Sequence, residues 1–301
     1  MTQNILINGL SEQSLPANDR GLAYGHGLFE TIALNGSQPV AWQAHLARLK
    51  EGAARIAIPL PDNIDQLLEE DLSCLLAQQS SDRSSDKSSD ISSEQDHSVQ
   101  RQVLKITITR GCGGRGYAVD DTVSINRVVQ LSAFPQYPDN PAENGIVVRL
   151  CRTSLALAPQ LAGIKHLNRL EQVLARAEWH DVSIREGLVL DTEGFLVEGT
   201  MSNLFWSQGG VLYTPQLDRC GVNGIIRQRI ISIASQHGIA LHQGLFTPEV
   251  LLVADEVFVC NSIIGIWPVT GTVLPQNQRP EWLVGPITRM LQSQLSAEGI
   301  Y

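Results

Sequence analysis

The stretch LAGIKHLNRLEQ, residues 161–172, holds the lysine from which the rest of the chain is read. The chain carries only four lysines against eighteen arginines, so each lysine can be weighed in turn. Lys87 lies in a low-complexity Ser-rich run. Lys50 sits off the apolar stripe of an amphipathic helix, and Lys105 shares a strand face with Val103, Thr107 and Thr109, opposite Leu104, Ile106 and Ile108. Both read as solvated charges. Lys165 is hemmed by Leu161, Ile164 and Leu167, just ahead of an N-x-x-E pattern (Asn168, Glu171) that resembles a helix capping box. An ammonium in an apolar setting has a lowered pKa. Moving it from ~10.4 to ~7 takes about 4.6 kcal/mol of desolvation or charge repulsion, the tuning a Schiff-base lysine needs. The same residues also allow a plain reading, in which Lys165 snorkels out of a half-buried strand.

Around this segment, a length of 301 residues predicts two domains, because single cores rarely grow past roughly 250–300 residues. The 22 basic and 31 acidic side chains give a net charge of −9, which offers no reason to bind nucleic acid or an anionic membrane. The hydrophobic fraction of 43% is that of a globular protein, and no apolar run approaches the ~18 residues of a membrane span. The start, MTQNILINGL, lacks the basic and apolar regions of a secretory signal. Five scattered cysteines without a C-x-x-C pair predict a reducing compartment, no disulfide framework and no metal. The expectation is a cytoplasmic protein.

Residues 80–95 read SSDR-SSDK-SSDI-SSEQ, too polar to offset the entropy of ordering, so 79–99 is expected to be a disordered loop inserted in the first domain. The Pro-rich AFPQYPDNPAEN, 133–144, predicts a linker over 135–144 between domains at 1–134 and 145–301. Before it, strands are expected at Ile5–Asn8, Glu30–Leu34, Val103–Arg110 and Ile125–Ala133. Helices are expected at Trp42–Ile56 (Leu46, Leu49, Ala53 and Ile56 on one face) and Ile64–Leu76. After it come strands Gly145–Leu150, Gly187–Asp191, Phe195–Thr200, Asn203–Trp206 and Glu256–Cys260, with helices at Asn168–Trp179, about Gly224–His237 and around Val284–Leu295. Mixed order with hairpins predicts a mixed α/β or α+β fold rather than a regular doubly wound sheet.

GCGGRG, residues 111–116, satisfies the letter of the dinucleotide fingerprint, but turn and strand residues follow it instead of a helix. It reads as a flexible loop in which Arg115 and Tyr117 contact an anion, or as a plain hairpin turn. Taken alone, Arg48 reads as solvated, Glu198 as an ordinary strand acid, and GVNG (221–224) as either a capped loop or an anion site at a helix start.

LAGIKHLNRLEQ resembles the lysine segment of aminodeoxychorismate lyases, within the fold-type-IV family of pyridoxal-phosphate enzymes that also holds D-amino-acid and branched-chain aminotransferases. NDRGLAYGHGLFET (18–31), HLARL (45–49), RGCGGRGY (110–117), EGTMSNLFW (198–206) and GVNGIIRQ (221–228) are similar to further segments of that family, and the glycine loop is the one most particular to lyases. The resemblance implies a smaller N-terminal α/β domain, a larger mixed C-terminal domain, the cofactor pyridoxal 5′-phosphate in a cleft between them, and a homodimer. It implies that Lys165 forms the Schiff base, that Glu198 faces the pyridine nitrogen, and that Arg48 with the amides of Val222, Asn223, Gly224 and Ile225 holds the phosphate. Asn261 and Ser262 are added as side-chain donors, their alternative being turn residues that end a strand. Arg115, Arg110 and Thr31 are candidates for the substrate. The implied reaction converts 4-amino-4-deoxychorismate to 4-aminobenzoate and pyruvate, in folate biosynthesis. A transaminase of the same fold is the alternative, and a non-catalytic cofactor-binding protein a third reading. Many relatives carry an acid where this chain has His26, which leaves that corner without an assigned role.

Overall fold

A computed structural model describes residues 4–11, 14–85, 101–120, 122–273 and 279–300. The chain forms two compact units, one of residues up to Pro135 together with Lys165–Leu167, the other of Gln136–Ile164 and Asn168 onward.

In the first unit, strands β1 (Ile5–Ile7), β2 (Gly27–Asn35), β3 (Gln38–Pro39), β4 (Arg101–Thr109) and β5 (Asn126–Ala133) form an antiparallel sheet in the order β1-β5-β4-β2-β3. Period-two alternation sends Leu28, Ile32 and Leu34 of β2 and Leu104, Ile106 and Ile108 of β4 to one buried face. Helix α2 (Trp42–Arg55) lies against β2, and its expected stripe is in place, with Leu46, Leu49 and Ala53 buried. A five-residue helix α1 (Arg20–Tyr24) is capped by Asp19 and ends at Gly25 in the left-handed conformation. Helix α3 (Ile64–Ser85) packs against β5 and β1 and runs into the first Ser-rich residues, where a loop was expected. Gln79 accounts for the extension: it donates to Asn4 and accepts from Gln102, tying that turn of helix to the sheet. The remainder of the expected loop, 86–99, lies outside the described residues.

The second unit holds an eight-stranded mixed sheet, β11-β10-β9-β12-β13-β6-β7-β8. Its strands are β6 (Ile146–Leu155), β7 (Ile184–Asp191), β8 (Leu196–Gly199), β9 (Asn203–Gln208), β10 (Val211–Pro215), β11 (Leu241–Gly244), β12 (Glu256–Asn261) and β13 (Gly265–Val273). Alternation sorts Leu204, Trp206, Val257 and Val259 into one core, and Phe205, Phe258 and Cys260 into another. The latter is shared with Ile226, Ile230 and Ile233 of α6 (Ile225–Gln236) and Leu291 and Leu295 of α7 (Pro286–Ala297). With both faces covered, β9 and β12 read as continuous apolar runs. Strands β10, β11 and β13 had no counterpart in the sequence reading. β13 carries Pro268 and Gly271 with a register shift between Val269 and Gly271, and β11 is a short, largely polar edge. Residues 136–144 of the expected linker dock on this unit. Tyr137 meets Trp267 edge-on, α4 (Pro141–Asn144) is a single turn, and Arg289 and Gln292 donate to its carbonyls.

Candidate active site

The lysine segment runs beside the start of β2 in the first unit. Phe29 donates its N–H to the Lys165 carbonyl (3.0 Å), Leu167 donates to Gly27 (2.9 Å), and His166 bridges Leu28. Lys165 is half-buried, with Nζ 4.4 Å from the centroid of the Phe29 ring, in cation–π range. Lys50 pairs with Asp65 at the surface, Lys105 is exposed, and Lys87 lies outside the described residues. Lys105 also approaches the Phe29 ring, at 5.7 Å, so what sets Lys165 apart is its closer approach and its partial burial. The capping box does not form: α5 spans Leu170–Arg176 with Arg169 at the N-cap, and Glu171 instead accepts from the Ala156 N–H (2.9 Å).

Arg48 is not solvated. Its Nε donates to Glu30 Oε1 (2.8 Å) and its Nη2 to Oε2 (2.5 Å), while His45 Nδ1 meets the same Oε2 at 2.6 Å. Glu30 and His45 are each 1% exposed. Burial alone would raise Glu30, but the His45 hydrogen bond and the Arg48 guanidinium outweigh it and bring the carboxyl down to about 2. Burial lowers His45 despite Glu30, with the charges of Arg48 and Lys165 acting in the same direction. A neutral His45 facing an ionised Glu30 carries its proton on Nδ1. Sequence reasoning missed Glu30, although its signal was there: an acid alternating with Leu28, Ile32 and Leu34 on a buried strand face needs a cation.

The glycine loop joins β4 to β5, and buried arginines hold several of its carbonyls. Arg110 is 1% exposed and donates to the carbonyls of Val123 (3.0 Å) and Asp120 (2.7 Å). These bonds make Arg110 a clamp inside the loop. Arg20 donates to four further loop carbonyls. Arg115 is exposed on the same loop. Thr31 is half-buried on β2, opposite Lys105.

In the second unit, Glu198 on β8 is 5% exposed, and its Oε2 accepts from the Val222 N–H (2.8 Å) and from Asn203 Nδ2 (3.5 Å). Asn203 also donates to the Val222 carbonyl (2.8 Å), so one carboxamide joins Glu198 to the GVNG turn. Of the four amides expected to face a phosphate, Val222 is spent on Glu198 and Asn223 on the Gly163 carbonyl (3.1 Å). Gly224 and Ile225 remain at the start of α6, which has no side-chain cap. Their N–H groups and the positive helix end suit an anion. A Cβ at Gly224 would stand 2.1 Å from Asn203 Oδ1, so only glycine fits there. Asn261 holds the turn after β12: Nδ2 donates to the Met201 carbonyl, and Oδ1 accepts from Ile263 and Ile264. Ser262 is half-buried in that turn. Among the described residues there is no cluster of three or more His, Cys, Asp or Glu able to hold a metal ion, and no helix is long and apolar enough to cross a membrane.

The family described as Amino-transferase class IV matches residues 27–271, a span that takes in Lys165, Arg48, Glu198 and the GVNG turn. This chain belongs to that family. Class-IV relatives include an aminodeoxychorismate lyase from Vibrio harveyi, 34% identical over 96% of this chain and 98% of its own. A D-alanine aminotransferase from Bacillus licheniformis is 27% identical over 97% and 95%. The crystal structure of 4-amino-4-deoxychorismate lyase from Pseudomonas aeruginosa superposes with a TM-score of 0.85 at 41% identity, covering 99% of this chain and 100% of that one. The class-IV fold read from LAGIKHLNRLEQ is therefore the fold observed.

Proposed function

We propose that this chain is a lyase that converts 4-amino-4-deoxychorismate to 4-aminobenzoate and pyruvate with pyridoxal phosphate. The observation that carries the proposal is Lys165, half-buried over Phe29 in a chain 41% identical to a lyase along its whole length. Each unit carries donors suited to the cofactor: in the second, an uncapped helix start for a phosphate and a buried carboxylate for a ring nitrogen; in the first, an amine in a partly apolar setting. Arg48, oriented by Glu30, adds a guanidinium for the phosphate. When bound, the cofactor supplies an electron sink at the carbon bearing the substrate amine.

Lys165 has two tasks at one nitrogen. Its amine holds the cofactor before substrate arrives; once released and neutral, Nζ takes the proton from the ring carbon that carries nitrogen. The same proton is then available to the methylene carbon of the departing enolpyruvate. Substrate and products are isomeric in sum, so no co-reactant is required. Glu198 would face the ring nitrogen and keep it protonated. Arg115 pairs with a substrate carboxylate. Homodimerisation and a cytoplasmic location belong to the same proposal; the exposed Leu170, Val173 and Leu174 on one side of α5 are suited to a subunit contact.

The test is pyruvate release from 4-amino-4-deoxychorismate by the purified chain with no keto acid present. Stoichiometric pyruvate and 4-aminobenzoate are expected. Product formation only when a keto acid is added would replace the lyase by an aminotransferase, the reading favoured by the D-alanine aminotransferase relative.

A further inference from the structure

We propose that Arg20 is a positioning residue for the substrate: it fixes the shape of the glycine loop and so the place of Arg115, which meets a substrate carboxylate. The proposal deepens the lyase reading and rests on it. Arg20 is 5% exposed. Its Nη1 donates to the carbonyls of Gly113 (3.3 Å), Gly116 (3.1 Å) and Ala118 (3.1 Å), and its Nη2 to Tyr117 (3.2 Å). The guanidinium also lies 5.0 Å from the Tyr24 ring centroid, and Tyr24 in turn packs against Tyr117 at 5.4 Å. Four carbonyl dipoles aimed at one point repel each other, so the loop takes this shape only around a cation. Gly114 completes it: at φ +76° a Cβ would stand 1.9 Å from the Ala118 oxygen.

Arg20 is itself fixed from two sides. Asp19 caps α1 through Gly21 (2.7 Å) and Leu22 (3.3 Å). Its second oxygen accepts from Thr109 Oγ1 (2.7 Å) and Asn126 Nδ2 (2.8 Å), at the two strand ends from which the loop hangs. His26 places Nε2 against the Ile56 carbonyl (2.8 Å) and so offers Nδ1 to Arg20 Nε (3.4 Å). Among the described residues no carboxylate lies within ion-pair distance of Arg20. Asp19, buried beside Arg20 and held by neutral donors, and Asp120 on the loop carry the opposite charge, so what Arg20 supplies is the shape of the loop, which sets where Arg115 stands. A substrate carboxylate that pairs with Arg115 depends on that shape.

The experiment compares the parent holoenzyme with Arg20→Lys, Arg20→Gln and Gly114→Ala. It reads affinity for chorismate, which has both carboxylates but a hydroxyl in place of the amine, alongside hydrogen exchange of 113–118 and the cofactor's visible absorbance. Arg20→Lys keeps the charge but cannot reach four carbonyls, and should weaken chorismate by about tenfold. Arg20→Gln should weaken it further, and Gly114→Ala by a similar factor with Arg20 untouched. All three should lose exchange protection in the loop while retaining the cofactor signal, and KM for the amino substrate should rise with kcat nearly constant. Equal chorismate affinity in parent and variants, or no chorismate binding by the parent, overturns the proposal. So does loss of the cofactor signal in step with affinity, which would make Arg20 a general support of the fold. Pyruvate release by the parent is scored separately, so failure of the lyase reading is told apart from failure of this one.

Discussion

Glu30 and Glu186 are both about 1% exposed, yet they are buried by opposite means. Glu30 faces a guanidinium and an imidazole, so its charge is cancelled where it stands. Glu186 accepts from Gly187 N, Thr200 N and Oγ1, Met201 N and Ser202 Oγ, and among the described residues no cation pairs with it. One corner is an ion pair whose product is the direction of Arg48. The other is a carboxylate solvated by neutral donors, whose product is the shape of the turn from β8 to β9, with Glu198 at its edge. A protein can thus pay for a buried acid with charge or with dipoles, and the two choices respond differently to substitution and to pH.

The largest expected effect tests whether the ion-pair corner and the reacting amine are linked. Lys165→Ala should bring turnover to background with the fold retained, because one amine both holds the cofactor and moves the proton. Pyruvate production near the parent rate would remove the central assignment. By taking away one of the charges that keep His45 neutral, the same variant should also raise the His45 pKa, readable by NMR. Next, Glu30→Gln should cost about 3–5 kcal/mol in urea unfolding, since it removes the buried carboxylate that His45 and Arg48 share. With Glu30 depressed from 4.5 to about 2, its contribution is complete above pH 4.5 and is lost as pH falls toward 2. His45 adds to the acid loss from pH 6.5 downward, where the unfolded chain takes up a proton that the folded chain refuses. A parent whose unfolding is flat between pH 7 and 3 would contradict both signs.

Smaller effects probe the dipole-solvated side. Glu198→Gln should keep the cofactor and lower kcat on the order of 10²-fold by weakening the electron sink; an unchanged kcat places Glu198 elsewhere. Glu186→Gln exchanges an acceptor-only group for one that must present an N–H to other donors, and should cost about 1–3 kcal/mol. Because no ion pair is broken, that loss should stay below the loss at Glu30, and the reverse order in urea would break the comparison. Least of all, Arg115→Lys should reduce kcat/KM about tenfold with cofactor absorbance intact, since an ammonium lacks the bidentate fork. A parent-like kcat/KM would leave Arg115 a surface charge.

How much of this was readable in advance follows the range of the forces involved. The α2 stripe, the alternation of β4 and the apolar runs of β9 and β12 are local patterns, and they emerged near their observed limits. Lys165 was separable from the other lysines because its neighbours in sequence are apolar. What escaped were long-range pairings of polar groups. Arg110 was not read as a clamp because its acceptors are backbone carbonyls, which leave no trace in side-chain chemistry. Val222 and Asn223 looked available because their acceptors, Glu198 and Gly163, are distant in sequence. Strand β13 was hidden by its own Pro268 and Gly271.

Three residues, Lys165 to Leu167, cluster with the first unit although the chain on either side belongs to the second. Synthesis from the N-terminus therefore delivers β1 to β5 well before the strip that lies along Gly27–Phe29. A nascent chain that has emerged only to Pro135 carries all five strands of that sheet but not yet Lys165. The amine is installed by a later return of the chain, a closure between residues 29 and 165 whose entropy is settled only after both ends are made. Translation thus completes the strands of the first unit before the segment that carries Lys165 exists, and that segment before Glu198 and the GVNG turn.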